Sequence, residues 1–562
     1  MTAADDLRDL TARYWEARLE ESPLFATFLG DHRFDDRADD LSEAGDAAQR
    51  AAWSGFAAEA AAIDPAELHE TDRVTHRLLA EELDQAIADL DQRLIELASD
   101  QMEGVHADLL MMAGQLQAPE PSHAAMAVTR IGALAAMLDQ AADRYRAGLA
   151  AGRTPARACI DRSLNQVDGY LATPLADDPF VALAGPTDWG DDAEAAWRAD
   201  LAAAVEAHLR PAFARTRAML ADELGPAARP DDRAGLCWLE DGAELYQHLI
   251  GHHTGLDLTP EELHAIGLAE ATEVLPDQYR ELGSRAFGTT DLAEIFDRIL
   301  NDPELRYRDG DELLAHAGRC LDEATAAMGD WFGIVPEAPC VLTPVPDVLA
   351  ADAPAAYYTP PAPDGSRPGE YHVNLHDAAG RSRAETASIA FHEAIPGHHL
   401  QLAIAAERTD LPAFRRLSWG HTAFVEGWAL YTERLADEMG LYATDVDRLG
   451  MLASDSWRAC RLVVDTGLHA LGWSRQQAID FMAAHAPVNP DEIATEVDRY
   501  LGMGGQALAY KVGQREILRL RAEARDRLGD RFSLPGFHDV VLGAATVSLP
   551  VLGERVAAWE GS

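Results

Sequence analysis

Two residues, Pro396 and Gly397, constrain this chain more than any others, because they interrupt a stretch otherwise suited to a helix. The stretch runs Phe391-His392-Glu393-Ala394-Ile395-Pro396-Gly397-His398-His399-Leu400-Gln401. Without the pair it reads H-E-A-I-H, the spacing at which two imidazoles hold a zinc ion and the glutamate between them activates water. With the pair, an unbroken helix at about 100° per residue would set His392 and His398 about 240° apart, unable to face one ion. Proline removes a backbone donor and clashes with the preceding turn, and glycine tolerates conformations other residues avoid. A helix broken at Pro396-Gly397 can bulge by two residues and resume with His398 back on the side of His392. His399 shares a face with His392 in a regular helix but lies roughly 10.5 Å further along the axis. His398 is therefore the better candidate for second ligand and His399 the alternative.

A catalytic zinc takes three protein ligands and keeps one position open, and a carboxylate from a neighbouring helix is a usual third. Val425-Glu426-Gly427-Trp428-Ala429-Leu430-Tyr431-Thr432-Glu433 continues a second helical pattern and supplies Glu426. Gly427 beside it would let two helices approach closely. Glu433, two turns on, either supports a ligand from behind or is solvated.

Composition narrows the class. At 562 residues and 48 % hydrophobic content the chain is globular, with ample length for a large core. Net charge is −48, from 47 basic and 95 acidic residues, so nucleic acid and anionic membranes are not expected partners. No apolar run reaches about 18 residues and no charged-then-apolar leader opens the sequence. The five cysteines (Cys159, Cys237, Cys320, Cys340, Cys460) are widely spaced, without metal-type pairs. A cytoplasmic location is the expectation. Every basic residue is arginine except Lys511. A compact ammonium differs from a planar fork, so a single lysine is either a site arginine cannot serve or a compositional survivor.

Residues 2 to about 225 read as successive amphipathic helices, with stripes such as Leu7, Leu10, Tyr14, Leu19 and Val74, Leu78, Leu79, Leu83, Ile87, Leu90. Leu224-Gly225-Pro226-Ala227-Ala228-Arg229-Pro230 is the best candidate boundary, giving an N-terminal helical half, 1–225, and a catalytic helical half, 226–562. His252-His253 reads as a short loop that either lines a cleft or is solvated. Thr259-Pro260-Glu261-Glu262 is a capping box with proline at the first helical position. Between about 340 and 377 prolines break the helical pattern. Ala356-Tyr357-Tyr358 and Glu370-Tyr371-His372-Val373-Asn374-Leu375 alternate like strands there, with Asp364-Gly365 as a hairpin turn. An edge of such a sheet, beside the metal motif at 392–426, could hold an extended peptide by backbone hydrogen bonds, with Tyr371 and Asn374 as candidate contacts.

Downstream, Arg461, Asp465 and His469 recur at i, i+4 spacing, which predicts guanidinium, carboxylate and imidazole in one row. The row is either an oriented His469 acting as proton donor or oxyanion stabiliser, or a surface salt-bridge ladder. The next helix carries Arg499, a candidate substrate contact, and Tyr500. Gly502-Met503-Gly504-Gly505-Gln506-Ala507-Leu508-Ala509-Tyr510-Lys511-Val512-Gly513-Gln514 is glycine-rich but lacks the phosphate-loop spacing. Its glycines point to close approach of backbone or substrate. Tyr510 and Tyr500 are candidate donors to an oxyanion, Lys511 a candidate partner for a substrate carboxylate, and Gln506 a further substrate contact.

Taken together and in this order, HEAIPGHHLQ, FVEGWALYTE, RLVVDTGLH and GQALAYKVGQ resemble the bacterial family called domain of unknown function 885, over most of the chain. By motif and helical build that family resembles the gluzincin peptidases of the thimet oligopeptidase, carboxypeptidase Taq and angiotensin-converting enzyme types. Dipeptidyl peptidase III, with one residue inserted in its metal motif, is a nearer analogy for the interruption. The resemblance implies His392, His398 and Glu426 as ligands of a zinc ion and Glu393 as general base. It implies a mainly α, zincin-like fold, with two helical halves around a deep cleft and a small β element beside the metal helix. The expected activity is hydrolysis of short peptides by metal-activated water. The alternatives are a hydrolase of non-peptide amides or esters, and a peptide-binding protein without catalysis.

Overall fold

The computed structural model describes residues 2–561 apart from 347–349, 351–352, 363–364, 366 and 419. It is mainly helical, as the amphipathic spacing predicts, with one three-stranded sheet among the described residues. Backbone proximity divides it into two compact units, Met1–Leu245 with Asp498–Met503, and Tyr246–Val497 with Gly504–Ser562. The division near residue 225 is thus corrected to one after Leu245. The Gly-Pro pair there does not end a unit, because Gly225–Ala227 is a helical turn running directly on from Met219–Leu224.

The first unit is organised on α1 (Pro121–Ala150), which opens on proline at its first position and buries Ile131, Leu134, Leu138, Ala141 and Tyr145. Phe180, Leu201, Phe213 and Leu220 complete that core. Arg499 and Tyr500 belong to the Asp498–Met503 segment of this unit, and Tyr500 is buried.

The second unit carries the sheet and the metal motif. Strands β1 (Cys340–Pro344), β2 (Ala356–Thr359) and β3 (Gly369–Val373) run in the order β1-β3-β2, β3 being antiparallel to β2 and parallel to β1. β2 and β3 are the strands their alternation predicts. β1 is unforeseen, because it sits among prolines and its pairing is with a strand distant in sequence. Asp364 of the expected turn lies outside the described residues. His252 and His253 are corrected from loop to helix, near the end of Gly242–Thr254.

Five helices frame the motif: α2 (Ala384–Glu393), α3 (His398–Glu407), α4 (Thr422–Glu438), α5 (Asp445–His469) and α6 (Ala509–Leu528). Small residues let them touch. A Cβ on Gly450 of α5 would meet the Ala384 carbonyl oxygen at 1.8 Å, so α2 and α5 cross at backbone contact. α4 and α6 do likewise, since a Cβ on Gly427 would lie 2.4 Å from Gly513 Cα and one on Gly513 would lie 1.8 Å from the Ala423 oxygen. Gly427 therefore lets two helices approach closely, and the pair is α4 and α6.

Candidate metal centre

The helix breaks where proline and glycine predict. α2 ends at Glu393, Ala394 leaves helical geometry (φ −102°, ψ −105°), the Ile395–Pro396 peptide is cis, and α3 starts at His398. Gly397 has to be glycine: a Cβ there would meet the His392 carbonyl oxygen at 1.8 Å. α4 fixes the interruption from outside. Trp428, fully buried, donates its indole N–H to the Pro396 oxygen at 3.0 Å, and the Thr432 hydroxyl donates to the Phe391 oxygen at 3.1 Å.

The break returns His398 to the side of His392. The Nε2 atoms of His392 and His398 each lie 3.6 Å from Glu426 Oε2, and one donor atom from each of the three residues falls within 4.8 Å of the others. Two donors at about 2.1 Å from a tetrahedral ion stand roughly 3.4 Å apart, so the set fits zinc. Glu426 Oε2 and His398 Nδ1 are buried without a hydrogen-bond partner among the described residues. An orphaned carboxylate oxygen between two imidazoles calls for a cation.

The electrostatics agree. Burial penalises the charged form of His392, yet Glu426 and Glu433 on either side outweigh it and push the imidazole up to about 10. Burial likewise penalises Glu426, but the two facing imidazoles hold its carboxyl well below the usual range. Glu393 lies at the end of α2 and its carboxyl is lifted by burial, with His392 and His398 pulling the other way.

His399, the alternative ligand, is committed elsewhere. Its Nε2–H donates to the Ala338 oxygen at 3.1 Å and its Nδ1 accepts from the Tyr358 hydroxyl at 2.9 Å. Burial moves this imidazole down to about 4, so it is neutral. It ties α3 to β2, and Gly369 is glycine because a Cβ would lie 2.5 Å from both His399 Nδ1 and the Tyr358 hydroxyl.

Glu433, left open by the sequence, is buried behind the ligand. It accepts from His392 Nδ1–H at 2.8 Å and from the Ser388 hydroxyl at 2.5 Å, which leaves Nε2 of the neutral ring for an ion. Glu433→Gln should therefore weaken zinc binding about 10–100-fold in a chelator-competition titration. Unchanged affinity would reduce Glu433 to a packing role.

The other predicted residues separate. Tyr510 stacks near His392, ring centroids 6.5 Å apart at 18°, and its hydroxyl has no hydrogen-bond partner among the described residues. Tyr371, on β3, is buried. Its phenol is pushed far up by burial first and then by the charge of Glu393. Lys511 is corrected: Nζ lies 2.5 Å from Asp455 Oδ1, buried, while Arg434 Nε donates to Asp455 Oδ2 at 2.8 Å. The single lysine thus serves an ion cluster with Asp455 and Glu270, 3.6 Å away, in the wall of a cavity lined also by Gln278, Arg434 and Arg515. Asn374 is corrected too, because it staples a loop by donating to the Ala350 and Ala353 oxygens at 2.7 and 2.9 Å. Gln506 sits in the short turn Gln506–Leu508 before α6, largely buried.

The row on α5 is not a ladder. Asp465 accepts from the Tyr246 hydroxyl at 2.5 Å and from Gly505 N–H at 3.1 Å, and Arg461 pairs with Glu496 at 2.9 Å. His469 is fully buried against the Tyr246 ring, centroids 5.2 Å apart. It lies about 12 Å along the helix from Arg461, which packs on Tyr510, so it does not join the Tyr510 side of the site.

A family model described as "Bacterial protein of unknown function (DUF885)" matches residues 23–556. Two solved structures, each described as a "putative lipoprotein", share the fold. That from Colwellia psychrerythraea has a TM-score of 0.92 at 27 % identity, covering 100 % of this chain and 99 % of its own. That from Shewanella oneidensis has a TM-score of 0.74 at 18 % identity, covering 98 % and 99 %, and speaks to fold alone. No functionally curated protein matches the sequence. No described helix is long and apolar enough to cross a membrane. The cytoplasmic location expected above is corrected nonetheless. It rested on cysteine spacing and on the opening residues, which do not decide a compartment, and it is overturned by relatives described as lipoproteins, a class held at membranes by a lipid anchor.

Proposed function

We propose that this chain, which belongs to the bacterial family of domain of unknown function 885, is a zinc-dependent hydrolase of short peptides. The reading rests on one observation: His392, His398 and Glu426 bring three donor atoms within 4.8 Å of one another, with Glu393 beside them. Bound there, zinc would supply a Lewis acid that polarises a carbonyl and acidifies a water. Glu393 is the general base of this reading. It takes a proton from the attacking water and delivers it to the departing nitrogen as the C–N bond breaks and the C–O bond forms. Tyr510, with an uncommitted hydroxyl near His392, is the candidate donor to the developing oxyanion. A peptide, more than another amide, is favoured by the sheet. β2 is an edge strand whose Tyr358 is hydrogen-bonded to His399, the residue after a ligand. An extended chain added to that edge would be delivered beside the metal. The likeness of the interrupted motif to gluzincin peptidases supports the same chemistry by analogy.

Metal content of untagged protein that has never met a chelator is the test. The expectation is about one zinc per chain, lost in Glu426→Ala, together with cleavage of a short-peptide library. Protein that takes up no zinc after incubation, or that cleaves small amides and esters while sparing peptides, would overturn the reading.

A further inference from the structure

In a chain with about twice as many acidic as basic residues, a half-buried arginine without a carboxylate partner is a point of unneutralised positive charge. Arg458 on α5 is such a residue. Its Nη1 donates to the Ser454 hydroxyl at 2.8 Å, its Nε is buried with no partner, and among the described residues no carboxylate lies within ion-pair distance of it. Arg461, which also packs on the Tyr510 ring, is committed to Glu496. The Arg458 guanidinium lies 5.8 Å from the centroid of the Tyr510 ring, which stacks near His392.

We propose that Arg458 receives the terminal carboxylate of a peptide, so that the enzyme removes single residues from free C-termini. The inference rests on the hydrolase reading above and deepens it. One residue spans about 3.8 Å between α-carbons, so a terminal carboxylate stands one residue beyond the carbonyl at the metal centre, on the scale of the 5.8 and 6.5 Å steps that link Arg458 to His392 through the Tyr510 ring. A guanidinium binds a carboxylate through two parallel N–H donors, a geometry that a C-terminal amide lacks. The bond hydrolysed is the last amide: water oxygen joins its carbonyl carbon and the proton goes to the nitrogen of the released amino acid.

The test compares N-acetylated tripeptides ending in a free acid or in an amide, using zinc-loaded wild type, Arg458→Gln and Arg458→Lys, with zinc content as the check on folding. Wild type should release one residue from the acid. Arg458→Gln should lower the preference for acid over amide about 10–100-fold, through KM, the effect of losing a hydrogen-bonded charge. Arg458→Lys should restore part of it. The same preference in both variants and wild type would overturn the role of Arg458. If zinc-loaded wild type cleaves neither peptide, the hydrolase reading fails. Calorimetric titration of the free-acid tripeptide then decides the Arg458 site by itself: weaker binding to Arg458→Gln supports it, and equal binding overturns it.

Discussion

Replacing Glu393 by glutamine should leave the zinc content at the wild-type level and lower kcat/KM for peptide cleavage by at least a hundredfold, within the roughly 10²–10⁴ that a positioned base contributes. The two halves of that result test different things. Retained zinc follows because Glu393 is not among the three residues whose donor atoms converge. The rate loss follows because glutamine matches the shape of glutamate but cannot accept the proton. Burial lifts the Glu393 carboxyl and His392 and His398 pull it the other way, so its proton affinity is set by the site itself. Unchanged turnover would remove Glu393 from the role. Lost zinc would instead make it a ligand and reopen the assignment of the third position.

The second large effect is on stability. Asp455→Ala should destabilise the protein by about 3 kcal/mol, because it takes the nearest counter-charge from buried Lys511, which is left with Glu270 at 3.6 Å, and from the partly exposed Arg434. The double variant Asp455→Leu with Lys511→Met should be less damaging than Asp455→Ala alone, since fewer buried charges go unpaired. Chemical denaturation of the full chain measures both, and a shift below about 0.5 kcal/mol for Asp455→Ala would mean that water reaches the cluster freely. The pH dependence has a definite sign. Burial by itself would raise the Asp455 carboxyl, but Lys511 and Arg434 outweigh it and hold it well below the ordinary range. The unfolded chain titrates near pH 3.9, so this contribution is full above about pH 4. It is lost as pH falls further through the depressed native value.

How far these residues were legible depends on what fixes them. His392, His398 and Glu426 could be read from order and spacing, because proline and glycine act on the backbone locally and a two-residue bulge is a local event. His399 was separable from His398 by helix geometry alone, and its hydrogen bonds to Ala338 and Tyr358 give it a different use. Glu433 stayed open because its burial depends on how α4 packs against α2, which no local pattern encodes. Lys511 was conspicuous by composition, but uniqueness of type does not tell a buried ion pair from a ligand contact. β1 was illegible for a related reason: parallel pairing joins residues far apart in sequence and leaves no turn to mark it. Arg458 carried no signal at all. An arginine matters at a site through the carboxylates that fail to surround it, and that is a property of three dimensions.

The neighbours His398 and His399 point to opposite tasks, one imidazole toward Glu426 in the candidate metal centre and the next toward the sheet. The sheet edge and the metal are thereby indexed to a single step of backbone. A substrate laid along β2 would have its register counted from His399 and its cut made at His398, with about one residue of chain as the ruler between them. Loosening that joint, by unhooking Tyr358 from His399, would blur where a peptide is cut before it changed how fast.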